Sequence, residues 1–186
     1  MKLQKKKIMV GGIQTSGKSY FVKNMLIPNF RKPILFEVHP DFRECENLLI
    51  YRPSEPTVKE LNDFCLKVKA LGLAGKIDAF ILDEADMFMM SILGKELNNL
   101  NDLVINHAHY GLALVFVTRR PQDIPPKITE SSHYIIMFTV EGKNVFDRLK
   151  GISEEFEEAV RKLDYDYRDF VVKEIGRKPI TYNPLP

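Results

Sequence analysis

Gly12-Ile-Gln-Thr-Ser-Gly17-Lys18-Ser19 is the stretch that decides the fold, and it fits the pattern GxxxxGK[ST] at every position. The apolar run Lys7–Gly11 in front of it predicts a short buried strand, and residues 17–27 behind it predict a helix that ends at Pro28. Glycines let the backbone curl so that consecutive N–H groups face one anion, and the helix adds its positive end. The sequence therefore predicts a phosphate-binding loop between a strand and a helix.

The loop residues have distinct chemical roles in this prediction. The Lys18 ammonium group would reach the β and γ phosphates of ATP, and the Ser19 hydroxyl would bind Mg²⁺. Tyr20 and Phe21 could stack near the base, but both are core residues in the alternative interpretation. The residues predicted to contact the nucleotide are Gly12, Gln14, Thr15, Ser16, Gly17, Lys18, Ser19 and Tyr20. A glycine-rich turn that carries Lys-Ser by chance is the structural alternative.

Two acids follow a second apolar strand, in Ala79-Phe-Ile-Leu-Asp83-Glu84. Asp83 would lie at the tip of this strand, beside the phosphate-binding loop, and would hold Mg²⁺ through water. Glu84 would polarise the water that attacks the γ phosphate. Adjacent strand residues point to opposite sides, so one acid can serve the metal and the other the water. The alternative is an ordinary strand-to-helix turn in which Asp86 caps the next helix.

A third informative stretch is Leu112-Ala-Leu-Val-Phe-Val-Thr118-Arg119-Arg120-Pro121-Gln-Asp-Ile-Pro125. Thr118 ends a strand expected next to the acidic one, where a polar group can contact the γ phosphate. Arg119 or Arg120 could reach the nucleotide of a neighbouring subunit and stabilise transition-state charge. Two solvated arginines at a strand exit are the alternative. The predicted catalytic residues are therefore Lys18, Glu84, Arg119 and Arg120.

The rest of the chain alternates short apolar runs with amphipathic segments, which predicts an α/β fold with a mostly parallel sheet. We predict one domain over residues 1–177 and a proline-rich tail over residues 178–186. The 186 residues are 45% hydrophobic, which excludes global disorder, and the net charge of +2 excludes a general excess for binding polyanions. Two cysteines without a CxxC pair exclude a disulfide scaffold and favour a reducing compartment. No apolar run is long enough for a transmembrane segment, and the basic start lacks the apolar core of a secretory signal.

Together these stretches resemble the HerA/FtsK superfamily of DNA-pumping ATPases, and in particular the compact viral genome-packaging ATPases. Ile34-Leu-Phe-Glu-Val-His39-Pro40-Asp41-Phe42 is also similar to the family, and the stretch after His109 resembles its TQRPxDIP signature. Lys18, Ser19, Asp83 and Glu84 match the family's phosphate, metal and base residues, while Thr118 and Arg120 match the signature. Arg119 stands where many members have a sensor glutamine. Asn106-His107-Ala-His109 stands where many have an arginine, so the resemblance leaves the trans-acting residue open.

The resemblance implies a RecA-like P-loop NTPase fold, with a central mostly parallel sheet flanked by helices on both faces. It implies an ATPase that translocates DNA, expected to be double-stranded, and packages a viral genome with ATP and Mg²⁺. Family members form homo-oligomeric rings, usually hexamers, with DNA in the central channel. A capsid or membrane vertex protein is a further expected partner. The expected location is the cytoplasm, which for a viral protein is that of the host, or the virion.

Two segments are candidates for DNA contact. The N-terminal lysines Lys2, Lys5, Lys6 and Lys7 could approach DNA phosphates, or they could be a solvated terminus. Residues 86–93 are rich in methionine and, with Lys95, could line a pore, although a core or subunit interface is the commoner use of such a stretch.

Three other functions fit parts of the sequence. Ile81-Leu-Asp83-Glu84-Ala-Asp86 resembles the acidic box of DEAD-box helicases, which need a second RecA-like domain to complete their site. A small-molecule kinase would need an arginine-rich lid over the phosphates, and no such segment is visible between the strands. A nucleotide-gated assembly protein would bind ATP through the same loop but would not need Glu84.

Overall fold

The computed structural model describes residues 3–42, 45, 47–89, 97–166 and 168–183. Within these ranges eight strands form one sheet in the order β3-β2-β4-β5-β1-β6-β7-β8. The strands are β1 Lys7–Gly11, β2 Pro33–Phe36, β3 Leu49–Tyr51, β4 Ala79–Leu82, β5 Ala113–Thr118, β6 Tyr134–Met137, β7 Phe170–Glu174 and β8 Ile180–Tyr182. Strands β1 to β6 run parallel, whereas β7 and β8 are antiparallel. The predicted α/β fold with a mostly parallel sheet is therefore confirmed.

Seven α-helices in the described ranges cover this sheet. They are α1 Lys18–Phe21, α2 Val58–Leu73, α3 Asp86–Met89, α4 Asn98–Asn106, α5 Pro126–Glu130, α6 Lys143–Ile152 and α7 Glu154–Arg161. Helix α1 is shorter than predicted, because its turns widen to a π-helix over Val22–Leu26 and then tighten over Ile27–Asn29. Pro28 lacks an amide hydrogen but lies inside this last turn, so the helical segment runs one residue past the predicted end and stops before the extended Phe30. None of the described helices is long and apolar enough to span a membrane.

Alternate strand residues fill two hydrophobic cores, one on each face of the sheet. In β4, Phe80 and Leu82 face a core that also holds residues of α2, α4, α6 and α7. Ala79 and Ile81 face the second core, which contains Phe21 of α1 and the segment after it. Because both faces are covered, the strands are almost continuously apolar.

Local signals in the sequence explain where two of the helices begin. The Thr57 side chain accepts a hydrogen bond from the Glu60 amide at the start of α2, as the capping spacing predicts. The Glu60 carboxylate itself binds the Tyr51 hydroxyl at 2.7 Å, which ties α2 to β3. Ser153 caps α7 in the same way, since its hydroxyl accepts from the Phe156 amide.

The order of the strands brings the predicted site residues to one edge of the sheet. Strand β5 lies between β1 and β4, and all three run parallel. The phosphate-binding loop, the acids after β4 and the arginines after β5 therefore follow the carboxyl ends of neighbouring strands. The proline-rich tail predicted over residues 178–186 contributes β8, which pairs with β7. Division of the chain at residue 177 stays a prediction.

Basic side chains are buried at the opposite, amino-terminal edge of the sheet. Lys7 is 4% exposed and donates to the Ser131 hydroxyl at 2.7 Å, so it does not belong to a solvated terminus. Burial, with Lys127 nearby, lowers the pKa of Lys7 to about 8. His107 is 7% exposed; burial first, and then Lys7 and His133, lower its pKa to about 4.

This histidine predicts an acid-sensitive contribution to stability. The pKa of His107 is lower in the folded state than in the unfolded chain, so its contribution is present above about pH 6.5 and is lost as pH falls toward 4. We expect the unfolding free energy of the wild type to fall by about 2 kcal/mol relative to His107→Leu between pH 7 and pH 5. Urea unfolding of both proteins at the two pH values measures this difference.

The comparison with the variant isolates the histidine. Asp83 has a pKa raised to about 7, so it acts in the opposite direction over the same pH range, but its contribution is common to both proteins. Parallel pH profiles for wild type and His107→Leu would show that His107 is not responsible.

Candidate active site

The phosphate-binding loop is held in a curled conformation by close contacts with the neighbouring strands. Gly12 and Gly17 have φ angles of 156° and 105°, a region that side chains rarely adopt. A Cβ at Gly12 would lie 2.7 Å from both Phe138 Cβ and Ser16 Oγ. The Ile13 amide donates to the Thr139 carbonyl at 2.9 Å, which fixes the loop beside the end of β6. The first amides of α1, which begins at Lys18, have no partner within the helix and can bind an anion.

The side chain of Lys18 folds back over this loop. Its Nζ donates to the Ile13 carbonyl at 2.5 Å, and the residue is 7% exposed. Burial is the main cause that lowers its pKa to about 8; Glu84 opposes this shift and Arg119 adds to it. The amine is therefore largely protonated at pH 7, and a phosphate that displaces the carbonyl would receive its positive charge.

Asp83 and Glu84 lie directly after β4. Asp83 is 3% exposed, and its Oδ2 has no hydrogen-bond partner among the described residues. Burial, followed by repulsion from Glu84, raises the pKa of Asp83 to about 7. A buried carboxylate without a partner is unfavourable unless a cation or proton accompanies it. Ser19 shares the same cavity, so Ser19 and Asp83 fit the oxygen ligands that Mg²⁺ prefers.

Glu84 is held by Arg119. Arg119 Nη2 lies 2.6 Å from Glu84 Oε1, and the Glu84 side chain is 9% exposed. Burial raises the pKa of Glu84, while the neighbouring Arg119 opposes that rise. The backbone of Glu84 has a φ of 48°, which is uncommon for a residue other than glycine. The predicted base is thus fixed in position within its own chain by one of the predicted arginines.

The other two signature residues, Thr118 and Arg120, do not line the cavity. The Thr118 hydroxyl donates to Asp86 Oδ1 at 2.7 Å and accepts from the Arg120 amide at 3.0 Å. Side chains alternate along β5, so Val117 and Arg119 face the cavity and Thr118 points to the other side. The side chain of Arg120 is 66% exposed and pairs with Asp123. Their predicted contacts with phosphate stay predictions.

The residues that face each other form one open cavity of about 460 Å³ at the carboxyl edge of the sheet. Its lining residues are Gln14, Thr15, Lys18, Ser19, His39, Asp41, Asp83, Glu84, Val117 and Arg119. The structure thus brings the loop lysine and serine, both acids and one arginine together, as the motifs require. The separate roles of these residues are not tested by their proximity and stay predictions.

Some predicted contacts lie elsewhere. Ser16 is buried inside the loop, and its hydroxyl has no hydrogen-bond partner among the described residues. Tyr20 is 42% exposed and does not line the cavity. Phe21 packs in the core against Phe138 and Phe170, as the alternative interpretation expects. Of the possible pore segment, residues 86–89 form α3, whereas 90–95 lie outside the described residues, as does Lys2.

Sequence reasoning assigned no site role to three residues at or beside the cavity. His39 and Asp41 line it from the turn after β2. A polar turn after a buried parallel strand was the available signal, because β2 ends at the same edge as β1 and β4. The Tyr165 hydroxyl contacts the Thr15 hydroxyl from the segment between α7 and β7. That contact joins residues 150 positions apart, and no local pattern indicates it.

Comparison with known proteins gives matches in structure but not in sequence. No protein-family profile matches the chain, and the comparison with curated proteins gives no match. The fold is similar to B204, the DNA-packaging ATPase from Sulfolobus turreted icosahedral virus, with a TM-score of 0.82 and 20% identity over 99% of this chain and 100% of that one. B204 from Sulfolobus turreted icosahedral virus 2, in complex with AMPPCP, has a TM-score of 0.78 and 22% identity over 97% of this chain and 98% of that chain.

A more distant match is to a larger protein. The cytoplasmic domain of the type VII secretion ATPase EccC from Thermomonospora curvata has a TM-score of 0.70 and 10% identity over 96% of this chain, but only 25% of that one. These matches show the fold alone, and it is the fold that the resemblance in the sequence implies. The chain therefore has the P-loop NTPase fold that the viral packaging ATPase B204 shares with the ATPase domains of EccC.

Proposed function

We propose that this chain is an ATP-hydrolysing DNA translocase that packages a viral genome as a ring of identical subunits. The observation that carries the proposal is the single cavity in which Lys18, Ser19, Asp83 and Glu84 meet. Similarity over the full length of a DNA-packaging ATPase supports the packaging role. We further propose a capsid or membrane vertex protein as the docking partner, and the host cytoplasm or the virion as its location.

The residues of the cavity divide the chemistry between them. The loop amides and Lys18 bind the triphosphate and withdraw charge from the γ phosphate. Ser19 and Asp83 would hold Mg²⁺, which supplies positive charge to the phosphate oxygens when it is bound. Glu84 orients the attacking water and accepts its proton. Catalysis on this assignment is positional and electrostatic, and no covalent intermediate is needed.

Arg119 contacts the proposed base, Glu84, and also lines the cavity proposed to bind the nucleotide. In the structure its guanidinium pairs with Glu84, which favours the ionised form of that carboxylate. Arg119 also lines the cavity, so a triphosphate would compete with Glu84 for its positive charge. We propose that Arg119 acts within its own subunit, as the sensor that many family members have as glutamine at this position.

The ion pair between Arg119 and Glu84 also supports one alternative. A nucleotide-gated assembly protein would bind ATP through the same loop and keep Glu84 permanently engaged. The two functions differ in turnover, because only the ATPase needs Glu84 to accept a proton.

The proposed function is tested by measuring ATP turnover and oligomer mass together, with and without duplex DNA. We expect ATP turnover to rise with DNA and with assembly. A Lys18→Ala variant should show only background turnover, because the loop then lacks its only lysine. A wild-type protein that assembles in the presence of DNA but shows no turnover above Lys18→Ala would contradict the proposal.

A further inference from the structure

The amino-terminal edge of the sheet carries exposed positive charge. Four of these side chains precede strands, and the fifth lies in helix α5, which leads into β6, at the edge opposite the active-site cavity. The exposed cations of this edge are Lys5, Arg31, Lys32, Lys76 and Lys127. None of the five belongs to the ion pairs formed among the described residues. These five cations therefore have no direct ionic partner among the described residues, although the carboxylate of Asp78 lies beside three of them.

Three of these cations line a groove of about 340 Å³, which we call the basic groove. Its lining includes Lys5, Arg31, Lys32, Gly72, Gly75 and Gly111. The one acid in the lining, Asp78, is already engaged: its carboxylate oxygens accept from the Arg31 amide at 2.8 Å and the Lys32 amide at 2.9 Å. These bonds fix the backbone of Arg31 and Lys32 while their charged ends stay free. A Cβ at Gly75 would meet nothing within 4 Å, so this part of the groove is open to a close approach.

The cavity at the active-site edge has more acidic than basic side chains in its lining. Asp41, Asp83 and Glu84 line this cavity, against two cations, Lys18 and Arg119. Arg119 is paired with Glu84, so Lys18 is the one cation of that lining without a direct carboxylate partner until a triphosphate competes for Arg119. Bound Mg²⁺-ATP would add further negative charge. Because acidic side chains outnumber basic ones in this lining, a further cation from outside the subunit would be attracted to it.

We propose that the basic groove of one copy docks on the nucleotide-bearing edge of a second copy, so that Arg31 and Lys32 supply positive charge to the partner's triphosphate. The inference rests on the proposed function and names the surface that completes its site. Two complementary edges on opposite ends of one chain make a head-to-tail contact, which closes into a ring when the rotation allows. Arg119 and Arg120 follow β5 at the active-site edge, next to their own cavity, so they act from the wrong edge for this contact.

Mixing variants tests the contact directly. Arg31→Ala/Lys32→Ala should bind a fluorescent ATP analogue within about twofold of wild type, because its own loop is intact, yet turn over ATP at least ~10²-fold more slowly. Lys18→Ala should also be inactive. A 1:1 mixture should recover about a quarter of wild-type turnover, because one neighbour pair in four joins an intact site to an intact groove. No recovery, or full activity of Arg31→Ala/Lys32→Ala alone, would overturn the proposal.

Sedimentation gives a readout that does not depend on turnover. With a non-hydrolysable ATP analogue, wild type should form oligomers and Arg31→Ala/Lys32→Ala should stay smaller at the same concentration. If wild type never turns over ATP, the proposed function fails, but this measurement still decides the interface. Lys143→Ala/Lys162→Ala, which removes two exposed charges from α6 and the end of α7, is the matched control and should behave as wild type.

Duplex DNA is the competing occupant of the basic groove. Anisotropy titrations without nucleotide should give equal DNA affinity for wild type and Arg31→Ala/Lys32→Ala. A variant that loses DNA affinity but assembles normally would identify a nucleic-acid surface and overturn the assignment to a second copy. Mixtures of Lys18→Ala with Arg119→Ala should not recover activity, because both changes lie in the same subunit's cavity.

Discussion

Replacing Glu84 by glutamine should lower ATP turnover by about 10²–10⁴-fold and leave ATP bound, since loss of a general base typically costs that much. Glutamine keeps the size of the side chain and can still accept a hydrogen bond from Arg119. It cannot accept the proton of the attacking water. Lys18 and the loop are unchanged, so the affinity for a fluorescent ATP analogue should stay within about threefold of wild type. Steady-state turnover and equilibrium binding on the same preparation separate the two effects.

The control is Glu158→Gln, which neutralises an exposed glutamate on α7. It should leave turnover and binding unchanged, so that a loss in Glu84→Gln cannot be a general effect of one fewer negative charge. Unchanged turnover in Glu84→Gln would remove the base from the mechanism and favour the nucleotide-gated assembly protein. Loss of binding together with turnover would show that Glu84 holds the nucleotide site together through Arg119.

The strands and the location of the site could be predicted because both depend on local patterns. β1 is found over the predicted residues, and β4 and β5 lie within a residue or two of the predicted ends. Apolar runs of this kind bury both faces of a parallel sheet. Motifs that directly follow such strands must meet at one edge, so Lys18 and Asp83 converge although 65 residues separate them.

The contacts inside the site could not be predicted, because they depend on side-chain direction across the sheet. Whether Thr118 or Arg119 faces the cavity is decided by where β5 ends relative to β4, and a shift of one residue reverses it. In the structure Asp86, expected at most to cap a helix, accepts the Thr118 hydroxyl and the Arg119 amide and so fixes that register. The pairing of Arg119 with Glu84 follows from it.

Two further elements were not predicted. Helix α6 is amphipathic, with Val145, Leu149 and Ile152 at helical intervals, so the sequence does carry its signal. Strand β8 is exposed at all three positions and lies between prolines. It forms because β7 offers a free edge with which it can pair.

Gly12→Ala should abolish nucleotide binding and destabilise the fold, because the added methyl group would clash with neighbouring atoms. It would lie 2.7 Å from Phe138 Cβ and from Ser16 Oγ, in a backbone conformation that already disfavours a side chain. Phe138 cannot retreat: it is fully buried, its amide donates to the Gly11 carbonyl at 2.8 Å, and its ring packs on Phe21 and Phe170. We expect a loss of about 2–4 kcal/mol in unfolding free energy, from overpacking and backbone strain together.

The strain would be relieved mainly by movement of the loop, since the core behind it is closely packed. Amides that must face the phosphates together would then diverge, and the affinity for an ATP analogue should fall about 100-fold or more. Gly151→Ala is the matched control, because a Cβ there meets nothing within 4 Å and the residue lies in helix α6. It should raise the unfolding free energy by about 0.5–1 kcal/mol and leave binding unchanged. In denaturant unfolding, the free energy of unfolding should fall for Gly12→Ala and rise for Gly151→Ala relative to wild type. In the analogue titration, only Gly12→Ala should lose nucleotide binding. Equal binding by both variants would mean that the curled loop is not the phosphate site.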